Sequence, residues 1–211
     1  MEAQLLAVLG LGFLLGLKHA TDADHVVAVT TFVSEQRSIW RSCWIGAFWG
    51  LGHTLSLAIA GLMVIGLKIN ISHGVESRLE LGVAVMLVIL GARTLMRRDP
   101  HTHIHDGRAH SHFGWTQLGL RPVIVGMVHG AAGSAALMLL VLSTIQNPLL
   151  ALAYIGIFGG GSIVGMLIVS LLLALPVQWA AARSFRPVQL LAGAFSCLFG
   201  IYLAVNIWAG L

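Results

Sequence analysis

Gly16-Leu17-Lys18-His19-Ala20-Thr21-Asp22-Ala23-Asp24-His25 closes an apolar run that starts near residue 3. A run of roughly 18 or more mostly apolar residues is long enough to cross about 30 Å of hydrocarbon. Five more such runs follow, at about 44–66, 79–96, 121–145, 149–175 and 187–209. With the first, at about 3–20, they make six expected transmembrane helices, and the first has room to continue as helix to about residue 33. The composition fits lipid rather than water: 57% of the 211 residues are hydrophobic and 9% charged, against about 25% charged in ordinary soluble domains. Six spans leave little chain for anything else, so the expected fold is an all-α membrane protein with a single transmembrane domain over 1–211.

The net charge of +4 reads as topology rather than as affinity for nucleic acid, because the basic residues sit at span ends. Arg37 and Arg41 lie between spans 1 and 2, Arg93, Arg97, Arg98, Arg108 and Arg121 in or beside the 3–4 connection, and Arg183 and Arg186 between spans 5 and 6. On the other face stand Lys68 and Arg78. The asymmetry places those three loops in the cytoplasm and both termini outside a cytoplasmic (inner) membrane. Met1-Glu2 lacks the basic segment that opens a secretory signal peptide, so the first run is expected to stay as a span. Cys43 and Cys197 lie in apolar runs without CxxC spacing and read as packing residues.

The two halves echo one another. Gly16-Leu17-Lys18-His19-Ala20 has a counterpart in Gly126-Met127-Val128-His129-Gly130, an offset of 110 (129 − 19). Gly50-Leu51-Gly52-His53-Thr54 aligns with Gly159-Gly160-Gly161-Ser162-Ile163 at 109 (162 − 53), and Gly91 with Gly200 at 109. Glycines recur in membrane helices because they permit close packing, so a single match carries little; three agreeing to within one residue predict a repeat. Repeat 1 covers about 1–96, a His-rich loop about 97–114, and repeat 2 about 115–211. Three spans per half make it a 3+3 inverted repeat, a plan that puts a transport site near midplane between the halves.

Ionisable groups inside a span are costly and mark function. At about 100° per residue, a regular helix fans His19, Asp22 and His25 across one face and puts Asp24 on another. Asp24 is then a partner that orients a histidine through its second ring nitrogen, or else the helix breaks here. Two imidazoles with a carboxylate suit Ni, Co, Zn, Cu or Fe and fit Mg or Ca poorly; the bland alternative is a buried packing network. His53, between Gly52 and Thr54, and His129, opening a run of small residues, are further ligand candidates, and Ser162 is a pathway hydroxyl or a packing residue. His101, His103, His105, His110 and His112, with Asp99 and Asp106, form an expected auxiliary metal-binding loop of the alternating-histidine kind. His73, Glu76 and Glu80 read as a solvated loop on the opposite surface, with metal capture as the other reading. No HExxH helix, phosphate-binding lysine loop or GxSxG elbow is present.

His19-Ala20-Thr21-Asp22-Ala23-Asp24-His25 resembles the HX4DH signature of the nickel/cobalt transporter family, and Leu51-Gly52-His53-Thr54 resembles that family's second motif. His129-Gly130-Ala131-Ala132-Gly133-Ser134 is similar to the fourth-span element of its six-span relatives, the UreH-type urease-accessory members. The resemblance implies that His19, Asp22, Asp24 and His25 recognise Ni²⁺, with His53 on the same pathway. Spans 4 to 6 contain no Asp or Glu, so the acidic element of the longer members has no match. The expected function is secondary transport of Ni²⁺, then Co²⁺, by alternating access, with uptake favoured over efflux. The metal is then substrate and not cofactor, and a cytoplasmic metal acceptor or a urease or hydrogenase maturation system is the implied partner. A membrane-embedded His-cluster metalloenzyme, or a metal-sensing or delivery protein, are the rival readings. Protons compete for imidazole, so uptake is expected to weaken at lower pH.

Overall fold

The structure, a computed structural model, describes residues 2–67, 73–97, 119–132, 141, 142, 144, 145, 147–182 and 184–210. Seven helices are found among the described residues: α1 (Glu2–His19), α2 (Ala23–Ser34), α3 (Ile39–Leu67), α4 (His73–Met96), α5 (Arg121–Ala131), α6 (Pro148–Ala181) and α7 (Phe185–Gly210). Four of them, α3, α4, α6 and α7, are each long and apolar enough to cross a membrane. Helices α1 and α2 pass that test together as one span bent by 56°. These helices fit a multi-pass membrane protein.

Three expectations change. The helix does not run through residues 19–25; it stops at His19 and restarts at Ala23. The fourth run, 121–145, begins as α5, which ends at Ala131 with Ala132 in extended backbone. Most of the remainder, 133–140, lies outside the described residues. The loop expected around His73 is instead the first turn of α4.

The elements follow from local chemistry. Asn147 caps α6 by accepting from the Leu149 and Leu150 amides at 2.9 and 3.3 Å, and Pro148 takes the first helical position, where no amide is needed. Within α2 the hydroxyls of Thr30 and Thr31 turn back onto the carbonyls of Val26 and Val27, which satisfies them without water. Trp40 near the start of α3, Trp179 near the end of α6 and Trp208 near the end of α7 are strongly exposed. That is where indole rings meet the membrane interface. Leu191 and Leu198 on α7 are likewise exposed, facing where hydrocarbon would be.

Glycine contacts hold the helices together, and several of them come in pairs. Gly16 lies against the backbone of Phe158 and Ser162, and Gly126 against Trp49 and His53. Gly161 meets Phe13, and Gly52 meets Val123; Gly91 meets Cys197, and Gly200 meets Val88. Each contact becomes its twin when one partner moves up the chain by 109 or 110 residues and the other moves down by as much (126 − 16, 158 − 49). A Cβ at these glycines would collide with backbone or side chain of the facing helix, so the residue type follows from the approach. The same contacts make α1 run parallel to α6 and α3 parallel to α5, with α4 antiparallel to α7. At the ends of α2 and α4, Arg97 pairs with Glu35, which also accepts from Thr94 Oγ1 at 2.9 Å. Arg186 donates to the carbonyls of Arg97 and Leu95.

Candidate metal centre

The break between α1 and α2 builds the site. Thr21 Oγ1 donates to the Lys18 carbonyl at 2.6 Å, competing for an acceptor that the next helical turn would use. Asp22, a preferred residue at a helix start, adopts extended backbone (φ −63°, ψ 145°) in the capping position of α2. Its carboxylate does not cap. It accepts instead from Lys18 Nζ at 3.3 Å and from His19 Nδ1 at 2.9 Å.

Two histidine–carboxylate pairs result. His19 donates its Nδ1–H to Asp22 Oδ2, so in the neutral ring Nε2 carries a lone pair, and that atom lies 3.0 Å from His53 Nε2. His53 must then donate from Nε2 while its Nδ1 is left without a partner. His25 donates its Nδ1–H to Asp24 Oδ1 at 2.9 Å, and the same oxygen accepts from the His25 amide. Its Nε2 has no partner. Asp24 Oδ2 lies 3.3 Å from His129 Nε2, close enough for an ion pair but without hydrogen-bond alignment. Carboxylates that hold one ring nitrogen and aim the other are the usual support of metal-binding imidazoles.

Four rings therefore gather from three stretches of chain. The centroid of His25 is 4.7 Å from that of His19, 5.0 Å from His53 and 4.6 Å from His129. The donor atoms of His19, His25 and His53 lie within 4.8 Å of one another, as do those of Asp24, His25 and His129. His25 belongs to both triads. All four imidazoles are buried, with His25, His53 and His129 showing no exposed surface. Buried polar atoms without partners are rare in folded proteins, and several are concentrated here. Gly126 and Gly130 bring α5 against the backbone at His53 and so set His129 beside it.

Of the residues singled out in the sequence, His19, Asp24, His25, His53 and His129 converge. Asp22 stands behind His19, on the far side of its ring from His53. Asp22 and Asp24 thus differ from the regular-helix expectation, because the break turns Asp24 toward the histidines. Ser162 is fully buried with its hydroxyl unpartnered. His101, His103, His105, His110 and His112 lie outside the described residues.

Sequence reasoning passed over the aromatic walls. Trp49 stacks on His25 (centroids 6.2 Å apart, planes 18°) and lies 5.3 Å from His129. Phe32 packs on Trp49, and Phe158 lies 5.8 Å from His19. Trp49 stands four residues before His53 on the same helical face, which was the available signal. Such walls keep water out and strengthen every electrostatic contact within.

The chain is 37% identical to the urease accessory protein UreH of Bacillus sp. (strain TB-90) over 215 residues, covering 98% of this chain and 94% of that relative. No family model matches the chain. No solved structure matches it.

Proposed function

The chain belongs to the nickel/cobalt transporter family, among its UreH-type members, and from that premise we propose that it is a secondary transporter of Ni²⁺, and second of Co²⁺, across the cytoplasmic membrane. Uptake is the favoured direction, and the relative's description as a urease accessory protein makes a cytoplasmic metal acceptor for urease maturation the natural recipient.

The observation that carries this reading is the pair of overlapping triads at the break of a bent span. His19, His25, His53 and His129, with Asp24, are the ligands, and Asp22 orients His19. Imidazole with carboxylate is a donor set for late divalent metals. The 3.0 Å between His19 Nε2 and His53 Nε2 puts both nitrogens within reach of one ion once the proton between them moves away. A cation also gains from the carbonyl end of α1, which points at the site.

The twinned glycine contacts support six spans in a 3+3 inverted repeat, with repeat 1 over about 1–96 and repeat 2 over about 115–211. Alternating access then amounts to the two halves rocking about a site between them. Both termini lie outside in this reading, because the basic loops stay in the cytoplasm.

Radiolabelled Ni²⁺ flux into proteoliposomes, with and without a proton gradient and with competing metals, tests the proposal. Wild-type protein accumulates Ni²⁺, while His19→Ala and Asp24→Ala do not. Equal accumulation by all three would sink it.

A further inference from the structure

A cavity of about 250 Å³ opens beside the imidazole cluster. Ala23 and Asp24 line it from the start of α2, Glu80 and Val83 from α4, and Phe199 and Leu203 from α7. It sits toward the end of the bundle where α4 begins and α7 finishes. Glu80 is seven residues from the start of α4 (80 − 73) and Leu203 seven from the end of α7 (210 − 203), or about 10 Å at 1.5 Å per residue. That is most of the way from the end of a span to the middle of about 30 Å of hydrocarbon.

Three observations say what enters. Asp24 is the exposed edge of its triad: its side chain is 21% accessible, while His25 and His129 are fully enclosed. Behind it His129 holds both ring nitrogens without a hydrogen-bond partner, one of them 3.3 Å from Asp24 Oδ2. Among the described residues, the two ionisable ones lining the cavity are both carboxylates. Asp22, the other carboxylate of the helix break, is paired with the exposed ammonium of Lys18 at 3.3 Å, which repels a cation arriving from that side. Six waters at about 30 Å³ each occupy about 180 Å³, so the cavity has room for a hydrated divalent ion.

We infer that this cavity is an aqueous vestibule by which a hydrated divalent transition-metal ion reaches Asp24, and that Glu80 is the carboxylate that captures the ion before imidazoles replace its water. The inference rests on the transport reading above. Glu80 acts at a distance from the four histidines: it raises the local cation concentration at the mouth, as negatively lined clefts do. Glu76 lies one turn farther out on the same face of α4.

Cysteine accessibility in the full-length chain tests it. In a background with Cys43 and Cys197 replaced, Val83→Cys, Leu203→Cys and the outward-facing Leu198→Cys are treated with a membrane-impermeant cationic methanethiosulfonate, added to each face in turn. The first two react from the face where α4 begins, and Leu198→Cys does not. Ni²⁺ slows the reaction by about fivefold or more, as a bound ligand in excess must, and Glu80→Gln abolishes that protection while Glu80→Asp restores most of it. Inert cysteines at 83 and 203, reactivity equal to position 198, or undiminished protection in Glu80→Gln would each overturn the inference. Wild-type flux in the same vesicles separates the two readings. Flux with inert cysteines removes the vestibule alone, whereas labelling with Ni²⁺ protection but no flux removes transport and leaves the vestibule.

Discussion

His19 Nε2 and His53 Nε2 face each other at 3.0 Å across the meeting of α1 and α3. Because Asp22 claims the Nδ1 proton of His19, an ion that takes both nitrogens must first displace the His53 proton to Nδ1, which is unpartnered. The two rings therefore act as a unit. His19→Ala and His53→Ala each lower Ni²⁺ affinity by about tenfold or more, equal to about 1.4 kcal/mol. The double variant falls well short of the sum, as contacting residues do. Equilibrium dialysis of the protein in nanodiscs reads this directly, and strict additivity would contradict it.

The two aspartates separate by role. Asp22→Asn keeps the shape but loses the carboxylate that fixes the His19 ring, and such orienting partners cost about 10–100-fold in metal affinity. Asp24→Asn removes charge from a group that touches two histidines, and loses more. Ni²⁺ titration of both variants should rank Asp24→Asn below Asp22→Asn; the reverse order would return Asp22 to the ligand set.

Glycine substitutions should sort by contact. Gly16→Ala and Gly126→Ala force a methyl group into a facing backbone, and each costs about 1–3 kcal/mol. Gly82→Ala and Gly156→Ala meet no atom within 4 Å and are neutral or slightly stabilising, since alanine is the better helix former. Thermal unfolding in detergent should show the first pair lowered together and the second pair unmoved.

Deleting residues 101–112 leaves most Ni²⁺ flux in a transporter whose site is at 19–25, 53 and 129, because those rings and their partners lie elsewhere. Metal-dependent signalling or delivery by the loop itself would disappear with the deletion. Flux in proteoliposomes, which contain no acceptor protein, distinguishes the two.

The helical architecture was legible from hydrophobic length, and His19, Asp22, Asp24, His25, His53 and His129 were singled out by the cost of ionisable groups in lipid. What the sequence left open, between a regular helix and a break, was the path of the chain through 19–25. Ala20, Thr21 and Asp22 contain no glycine or proline, so periodicity alone continues the helix and sends Asp24 away from the cluster. The cue was Asp22 itself, a common helix-starting residue after a threonine that can bond back to its own helix. Glu80 was hidden for a related reason. Its polar neighbours His73 and Glu76 look like a loop, yet they begin a helix whose apolar remainder carries Glu80 to the cavity. Trp49 read as one more apolar residue because its value lies in what it stacks on.

The twinned glycine contacts have a consequence for how the chain tolerates change. Gly16 and Gly126, Gly52 and Gly161, and Gly91 and Gly200 are under one constraint met twice. Exhaustive single-residue mutagenesis should therefore trace two superimposable bands of intolerance, one shifted along the chain by 109 or 110 positions. The stretch from His19 to His25 should give a third band with a broken echo. Position 129 repeats the imidazole of 19, while 162 sets a serine where 53 has histidine. Duplicated scaffold and unduplicated chemistry would then be told apart by selection alone.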